Sequence, residues 1–256
     1  MKVHATGNIT IAGFVESASI ECDGDLFVGN GILGRKLTTA DALYSCNINC
    51  KGSVTVTFSQ YTEMNIGTNL NIKTQLLHCF VHCKGHIFVQ NESNTKGVIL
   101  GGHLNAQQGI SSVTIGSTAG TITKLDLNGH YSELTKTKKQ IEIDISKQQE
   151  KLHSIFETRQ MIESAPLTKK RQAIDERLIS LQQQVEEIII DLEKKQEENL
   201  VALEHYFNHS KVIASKKLFS QTSIFIANKE LNTLQNTGPS CVSMQNETLM
   251  VSPYQK

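Results

Sequence analysis

The chain has 256 residues, with 25 Lys and Arg balanced by 25 Asp and Glu. This neutrality argues against a nucleic acid or an anionic membrane as a partner bound through net charge. The sequence has no Trp and only 5% aromatic residues, so stacking on bases or sugars is poorly supported. No apolar run reaches the length of about 18 residues that a membrane span needs, and the first residues lack the apolar core of a signal peptide. We therefore expect a cytoplasmic protein whose cysteines are reduced.

Charge density divides the chain into three segments. Charged residues are concentrated in residues 132–209 and are sparser in residues 1–131 and 210–256. A change of this kind is typical of a structural boundary, so we expect three structural segments with these limits.

Residues 1–131 contain a repeat. Each repeat begins with a small or apolar residue, which is followed in order by any residue, Gly and a polar residue. Alternating apolar residues come next, as in residues 5–11 and 22–28. The repeats begin at Ala5, Cys22, Cys50, Ile66, Cys83 and Leu100. The steps between them are 16 or 17 residues, apart from one of 28, which predicts an insertion near residues 30–45.

Side chains of a strand alternate between two faces, so the apolar positions of every repeat should point to one side. The first inward ladder would contain Ile9, Leu26, Val54, Leu70, Ile87 and Leu104, and the second Ile11, Val28, Val56, Ile72, Val89 and Ala106. Stacked coils would join these ladders into one continuous core, which predicts a β-solenoid. The repeated Gly is expected to allow a tight corner, because it tolerates positive φ.

The cysteines follow the same pattern. Cys46, Ile48 and Cys50 align with Cys79, Val81 and Cys83, and with Ala18, Ile20 and Cys22. We interpret most cysteines as small buried apolar side chains, since other coils have aliphatic residues at these positions. His78 and His82 would face outward, and residues four apart on a strand lie roughly 13 Å from each other, too far to share one metal ion. A metal or redox role is the less favoured alternative.

Two further clusters suggest sites but are explained more simply by solvated corners. His86 and His103 occupy equivalent repeat positions and should lie near each other, where they could bind a metal or sense pH. Glu21, Asp23 and Asp25 could serve in acid–base catalysis, but no matching acidic cluster stands on neighbouring coils. We therefore predict no catalytic, cofactor-binding or metal site.

From Ser132 onward the apolar spacing changes to three and four. One heptad seam contains Leu134, Ile141, Ile145, Gln148, Leu152, Ile155, Arg159 and Ile162. A second contains Ile174, Leu178, Leu181, Val185, Ile188, Leu192, Lys195, Asn199, Ala202 and Tyr206. Pro166 interrupts the pattern within residues 163–168, because proline cannot continue a helix. Two seams joined by so short a break predict an antiparallel coiled-coil hairpin over residues 132–209.

Lys169, Lys170 and Arg171 make the tip of this predicted hairpin basic. A run of charge is usually a solvated face, and the hairpin is explained most simply as a stiff spacer or a dimerisation arm. The sharper hypothesis is that the tip binds a protein partner through these three residues.

Residues 210–256 return to strand patterns. Residues 211–214, 222–227, 241–244 and 248–251 are predicted as strands, the last two forming a hairpin around Asn246. We infer that this segment completes or caps the solenoid, so that the helical hairpin is an insertion within it.

These features together resemble the bacterial flagellar assembly protein A (FapA) family. The resemblance rests on the Gly-Asp-Leu-Phe-Val-Gly-Asn-Gly-Ile-Leu-Gly-Arg run at residues 24–35, the repeated glycine turns, and an inserted hairpin followed by a short β segment. It covers essentially the whole chain. Family members usually carry a further N-terminal domain, which we expect to be missing from this sequence. It implies a right-handed parallel β-helix similar to the C-terminal domain of the division inhibitor MinC, with a role in flagellar assembly or placement and no enzymatic residues.

We therefore expect a non-enzymatic cytoplasmic scaffold that acts in flagellar assembly or polar placement. Its partners would be proteins of the flagellar or polar machinery, and it could self-associate through the solenoid ends or the coiled coil. The alternative is a structural scaffold of the cell pole or division machinery that forms filaments by stacking solenoid ends. A solenoid acyltransferase is disfavoured because it would need a strict six-residue period, and no cofactor is expected.

Overall fold

A computed structural model describes residues 1–37, 43–164, 166 and 168–255. The chain divides into two compact units, the first formed by Met1–Ser132 with Tyr206–Lys256 and the second by Glu133–His205. Strands dominate the first unit. The helices α1 (Asn128–Glu163) and α2 (Lys169–His209) account for the second.

In chain order the strands are β1 (Lys2–Ala5), β2 (Ile9–Ile11), β3 (Val15–Glu16), β4 (Ser19–Cys22), β5 (Leu26–Leu33), β6 (Cys46–Cys50), β7 (Val54–Gln60), β8 (Thr62–Ile66), β9 (Leu70–Cys83), β10 (His86–Val89), β11 (Val98–Ala106), β12 (Gly109–Ile115), β13 (Thr123–Asp126), β14 (Lys211–Leu218), β15 (Thr222–Ile226), β16 (Lys229–Asn232), β17 (Ser240–Gln245) and β18 (Thr248–Pro253).

Parallel pairing stacks these strands into three rows, and each coil of the chain contributes one segment to each row. Row one contains β1, β4, β6, β8, the end of β9, the end of β11, β13 and β15. Row two contains β2, the starts of β5, β7 and β9, then β10 and the starts of β12 and β14. Row three contains β3 and the remaining segments of β5, β7, β9, β11, β12 and β14. The mainly-β solenoid predicted from the repeat is confirmed.

The predicted core ladder is present in row two. Leu26 pairs with Val54, Val54 with Leu70, and Leu70 with Ile87. None of these four side chains is more than 1% exposed. The alternation of apolar and polar residues therefore does place one continuous apolar column inside the coils.

The prediction was wrong for the last residue of each ladder, Leu104 and Ala106. Leu104 belongs to row one, where it pairs with Val81 and Leu125, and Ala106 pairs with Cys83. Ile110 takes the place next to Ile87. The shift arises because residues 90–97 form a loop between β10 and β11, which lengthens this coil beyond the repeat.

The predicted insertion near residues 30–45 lies between β5 and β6. Lys36 and Tyr44 form an isolated antiparallel bridge at its base. Residues 38–42, inside the insertion, lie outside the described residues. Cys22 nevertheless pairs in register with Cys50 across it, so the coil continues normally after the insertion.

The corner glycines have a different role from the predicted one. Gly24, Gly52 and Gly85 do not have positive φ. A Cβ on Gly52 would lie 2.6 Å from the carbonyl oxygen of Gly24 in the neighbouring coil, and one on Gly85 would lie 2.5 Å from that of Thr68. Glycine is required here because stacked backbones approach closely, so the explanation from left-handed backbone was wrong at these corners, whereas Gly102 of the last predicted repeat does have a φ of 86°.

The two helices are inserted at one corner of the solenoid. β13 ends at Asp126 and β14 begins at Lys211, which is the step from row one to row two that other coils make through a short turn. The Asp126 carboxylate accepts a hydrogen bond from the N–H of Asn128 at 2.8 Å, as residues before a helix commonly do. The helix begins at Asn128, before the predicted Ser132. The early start was not predicted because Asn128 and Gly129 are residues typical of turns.

Along α1, exposure follows the predicted seam. Ile141 is buried, and the other seven predicted positions are half-buried. The Oε1 atom of Gln148 is buried without a hydrogen-bond partner among the described residues. α1 ends at Glu163, in the predicted break, while Ala165 and Leu167 of that break lie outside the described residues.

Along α2, the predicted seam is right only in part. The expected positions Leu178, Val185, Leu192 and Asn199 are buried or half-buried, whereas Ile174, Leu181, Ile188 and Lys195 are exposed. Arg159 of α1 donates hydrogen bonds to Asp175 at 3.1 Å and to Gln182 at 2.9 Å. The side of α2 that contacts α1 is therefore rotated by about one residue from the apolar seam.

Antiparallel strands cover the last coil. β17 pairs with β14 in row two, β16 pairs with β15 in row one, and Thr237 bridges Leu218 in row three. The strands predicted after residue 210 are confirmed, including the β17–β18 hairpin, whose turn residues Asn246 and Glu247 have φ of 47° and 63°. Strand β16 was not predicted from the sequence, because it is short and polar.

Candidate protein-interaction sites

The predicted basic tip lies in the first turn of α2. Thr168 precedes the helix, and its hydroxyl accepts a hydrogen bond from the N–H of Arg171 at 3.3 Å. Lys169 and Lys170 are exposed, and the first turn contains no acidic residue. Cations at this end of a helix oppose its dipole, whereas an anion would interact favourably with both the dipole and the side chains. An acidic group placed near this helix start would therefore have a favourable electrostatic energy, whereas the lysines alone have an unfavourable one.

The strands of the first coil form one end of the described solenoid. β1, β2 and β3 pair only with strands of the second coil, so their other edges carry backbone groups without a strand partner among the described residues. The inward residues Val3 and Ile9 are half-buried, while Ile20 and Leu26, one coil further in, are each 1% exposed. An open edge next to apolar side chains is the usual requirement for adding a strand from another chain.

The row of cysteines is buried, as the alignment of repeats predicted. Cys22, Cys46, Cys50, Cys79 and Cys83 are at most 3% exposed, and all six cysteines are free thiols. Both Cys22 and Cys50 donate to the carbonyl of Gly24, at 3.6 and 3.0 Å. Burial raises the pKa of the Cys22 thiol to about 12 and that of Cys83 to about 11. These thiols resist the ionisation that nucleophilic or metal-binding cysteines need.

The two histidines predicted to be neighbours are not. His86 lies in row two, where its Nε2 is 2.9 Å from the hydroxyl of Ser111 and its ring stacks on Phe88. His103 lies in row one, 3.8 Å from the carboxylate of Asp126. The loop that shifted Leu104 also moved His103 out of the expected position. Burial lowers the pKa of His86 to about 4, so this ring is neutral near pH 7.

The acidic residues of the second coil are engaged in structural contacts. Glu21 pairs with Lys2 at 3.1 Å, which lowers the pKa of Glu21, and Asp23 pairs with Lys51 at 2.9 Å. Asp25 accepts a hydrogen bond from the N–H of Ser53 at 2.7 Å in the next coil. These carboxylates therefore link neighbouring coils. No group of three or more His, Cys, Asp and Glu residues able to hold a metal occurs in residues 1–37, 43–164, 166 and 168–255.

A pocket of about 500 Å³ in the first unit was not predicted from the sequence. It is lined by Tyr131, Phe207, Ala227, Lys229, Met244, Asn246 and Glu247. The rings of Tyr131 and Phe207 meet edge to face at 5.8 Å. The lining residues are spread over more than 100 residues of the chain, from Tyr131 to Glu247, so no local motif could have indicated the pocket.

Neither helix, in the part of the chain that the structure describes, combines the length and apolarity needed to cross a bilayer. Comparison with curated proteins and with solved structures finds no match. The family model described as the Flagellar Assembly Protein A beta solenoid domain matches residues 1–249. Because this match spans nearly the whole chain, including the inserted helices, the chain belongs to the FapA family.

Proposed function

We propose that this protein is a non-enzymatic scaffold that supports flagellar assembly or polar placement by binding other proteins. The family match connects the chain to flagellar assembly. The observation that carries the scaffold role is the asymmetry of the described solenoid: antiparallel strands cover its last coil, whereas the strands of its first coil pair on one side only within the described residues. We place this function in the cytoplasm, at the cell pole.

The scaffold would consist of a right-handed parallel β-helix over residues 1–131 and 210–256, and an antiparallel coiled-coil hairpin over residues 132–209. The contacts of Arg159 with Asp175 and Gln182 support the antiparallel arrangement, because they join the end of α1 to the start of α2. Half-burial at heptad positions along α1 supports packing of the coiled-coil type.

The basic tip is the first proposed partner site. Lys169, Lys170 and Arg171 would bind an acidic segment of a protein of the flagellar or polar machinery. The support is electrostatic, since the exposed Lys169 and Lys170 lie at the positive end of α2, where an acidic group of a partner would interact favourably.

The open end of the solenoid is the second proposed site. A strand from a partner, from the further N-terminal domain that family members usually carry, or from a second copy would satisfy the edges of β1, β2 and β3 and would cover the half-buried apolar residues there. Growth into a filament, the alternative function, requires parallel stacking at both ends. The antiparallel strands over the last coil oppose that stacking, so we favour closed assemblies, including self-association through the helices.

The flagellar role is tested by deletion of the gene and complementation with variants of the full chain. Deletion is expected to impair swimming and flagellar number or position without slowing growth, and the wild type should restore both. Normal flagellation of the deletion strain would contradict the proposal.

The tip is tested in the same strain with Lys169→Glu combined with Lys170→Glu. Lys151→Glu combined with Lys194→Glu is the matched control, because both lysines are exposed on the helices and lie outside the tip. We expect the tip variant to lose swimming at unchanged protein level and the control to retain it. Equal swimming of the two variants would exclude the tip as a partner site.

A further inference from the structure

The second unit has an apolar stripe that α1 does not cover. Ile174, Leu181 and Ile188 follow one another at intervals of seven residues along α2, so they lie on one line of the helix surface. Their side chains are 47, 41 and 44% exposed. Val185, between them in sequence, is only 8% exposed.

The contacts of Arg159 show why the stripe stays exposed. Arg159 holds α1 against Asp175 and Gln182. Each of these residues follows a stripe residue directly and is therefore rotated from it by about 100° around the helix axis. α1 thus packs against the line of Asp175, Gln182 and Ile189 and against shared positions such as Val185, while the stripe residues face solvent.

We infer that the stripe of Ile174, Leu181 and Ile188 is the interface of a homodimer in which two α2 helices pack antiparallel. This deepens the self-association proposed above by naming its surface. The occupant is a second copy of this chain, because the charges beside the stripe are arranged to complement themselves.

The charges reverse along the edge of the stripe that points away from α1. Arg177 lies there four residues before Leu181, and Asp191 lies three residues after Ile188. A two-fold axis between Leu181 and Ile188 brings Leu181 of each copy against Ile188 of the other, and Arg177 beside Asp191. The same axis brings Lys170 beside Glu198. Parallel helices would instead place Arg177 opposite the other edge of the stripe and would lose its pairing with Asp191.

Lys195 continues the stripe at one end and is compatible with this arrangement. Its ammonium group pairs with Asp191 at 2.6 Å, and the side chain is 56% exposed. In the dimer the aliphatic part of Lys195 would cover Ile174 of the other copy, while its charge stays beside the carboxylate. The interface from Ile174 to Lys195 would be about 32 Å long.

The inference is tested by sedimentation velocity of the full chain over a range of concentrations. We expect the wild type to change from a 28.3 kDa monomer to a species of twice that mass. Leu181→Gln combined with Ile188→Gln should weaken the dimer at least about tenfold, because it removes apolar side chains from the interface. Ile190→Gln is the matched control, since Ile190 is 65% exposed on the opposite side of α2 and should leave the dimer intact.

Orientation is tested by charge. Arg177→Asp should weaken the dimer, because the introduced carboxylate would face Asp191 of the other copy at two symmetric places, and adding Asp191→Arg should restore it. A dimer insensitive to the glutamine substitutions would overturn the stripe but leave self-association at the solenoid end. A chain that stays monomeric would overturn both and leave the flagellar role untouched. Failure of the charge exchange to restore the dimer would overturn the antiparallel arrangement.

Discussion

Two glycines at the same corner of the first and third coils should respond in opposite ways to alanine. Gly52 lies against the neighbouring coil, and a Cβ there would come within 2.6 Å of the oxygen and 2.7 Å of the carbon of the Gly24 carbonyl. Gly7 occupies this corner in the first coil, where no atom lies within 4 Å of the Cβ position. Neither glycine has positive φ, so backbone conformation does not distinguish them.

The magnitudes follow from these distances. Alanine restricts the unfolded chain, which should stabilise the Gly7→Ala variant by about 0.4–1 kcal/mol. Gly52→Ala gains the same amount but must separate two stacked backbones, which costs about 1–3 kcal/mol or more. We therefore expect the free energies of unfolding of the two variants to differ by about 2 kcal/mol or more, with Gly52→Ala the less stable.

Tyrosine fluorescence during urea unfolding is a suitable assay. The chain has five tyrosines and no Trp, and none of the tyrosines lies between Glu133 and His205. Tyr131 and Tyr206 are helix residues but belong to the first unit, so the signal reports the unfolding of that unit. Equal midpoints for the two variants would refute the explanation from close stacking. Strong destabilisation by Gly7→Ala would refute the exposed position of the first coil.

Three further substitutions test other contacts. Tyr206→Phe should destabilise the solenoid by about 2–3 kcal/mol and speed amide exchange at Ala227, because the buried hydroxyl accepts the N–H of Ala227 and donates to a carbonyl; unchanged exchange would contradict this. Since the pKa of His86 is lowered to about 4, protonation favours the unfolded chain, and stability should fall as pH falls from about 6.5 to 4. In the His86→Gln variant, the pH dependence of the free energy of unfolding, measured by thermal unfolding, should be smaller by up to about 2 kcal/mol, a figure that allows for partial exposure of the ring. An unchanged dependence of stability on pH would exclude His86 as its source. Leu70→Ala should cost about 3–4 kcal/mol in urea unfolding and the outward Asn71→Ala within about 0.5, and similar losses would show that the core ladder is misassigned.

Sequence periodicity was sufficient to predict the ladders because a stacked coil repeats the same environment about every 17 residues. Leu26, Val54 and Leu70 could be aligned without any knowledge of the corners. The alignment failed at Leu104, where a loop lengthens one coil. An insertion can be detected from the spacing of repeats only when the next repeat keeps its motif. The residues from Leu100 onward match that motif at a distance of 17 residues, so the alignment assigned them to the wrong row.

The candidate sites were harder to predict, because they depend on which surfaces remain uncovered. The position of Lys169 at a helix start could be predicted from Pro166 and the heptads. The exposed line through Leu181 could not, since both sides of an apolar seam look alike until the partner helix is placed. The open first coil likewise depends on pairing, which the sequence of β1 does not reveal.

The place of the helical insertion has a consequence for the order of folding during synthesis. The coils before the insertion use only contacts between neighbouring repeats, so they can form in turn as the chain leaves the ribosome. The next coil cannot close until Lys211 has emerged, more than 80 residues after β13 ends at Asp126. Helices form from local contacts, so α1 and α2 can assemble during this delay and shorten the effective loop. Formation of the two helices would then bring the ends of β13 and β14 together and allow the next coil to close. The covering strands β16 to β18 would be the last to pair with the solenoid.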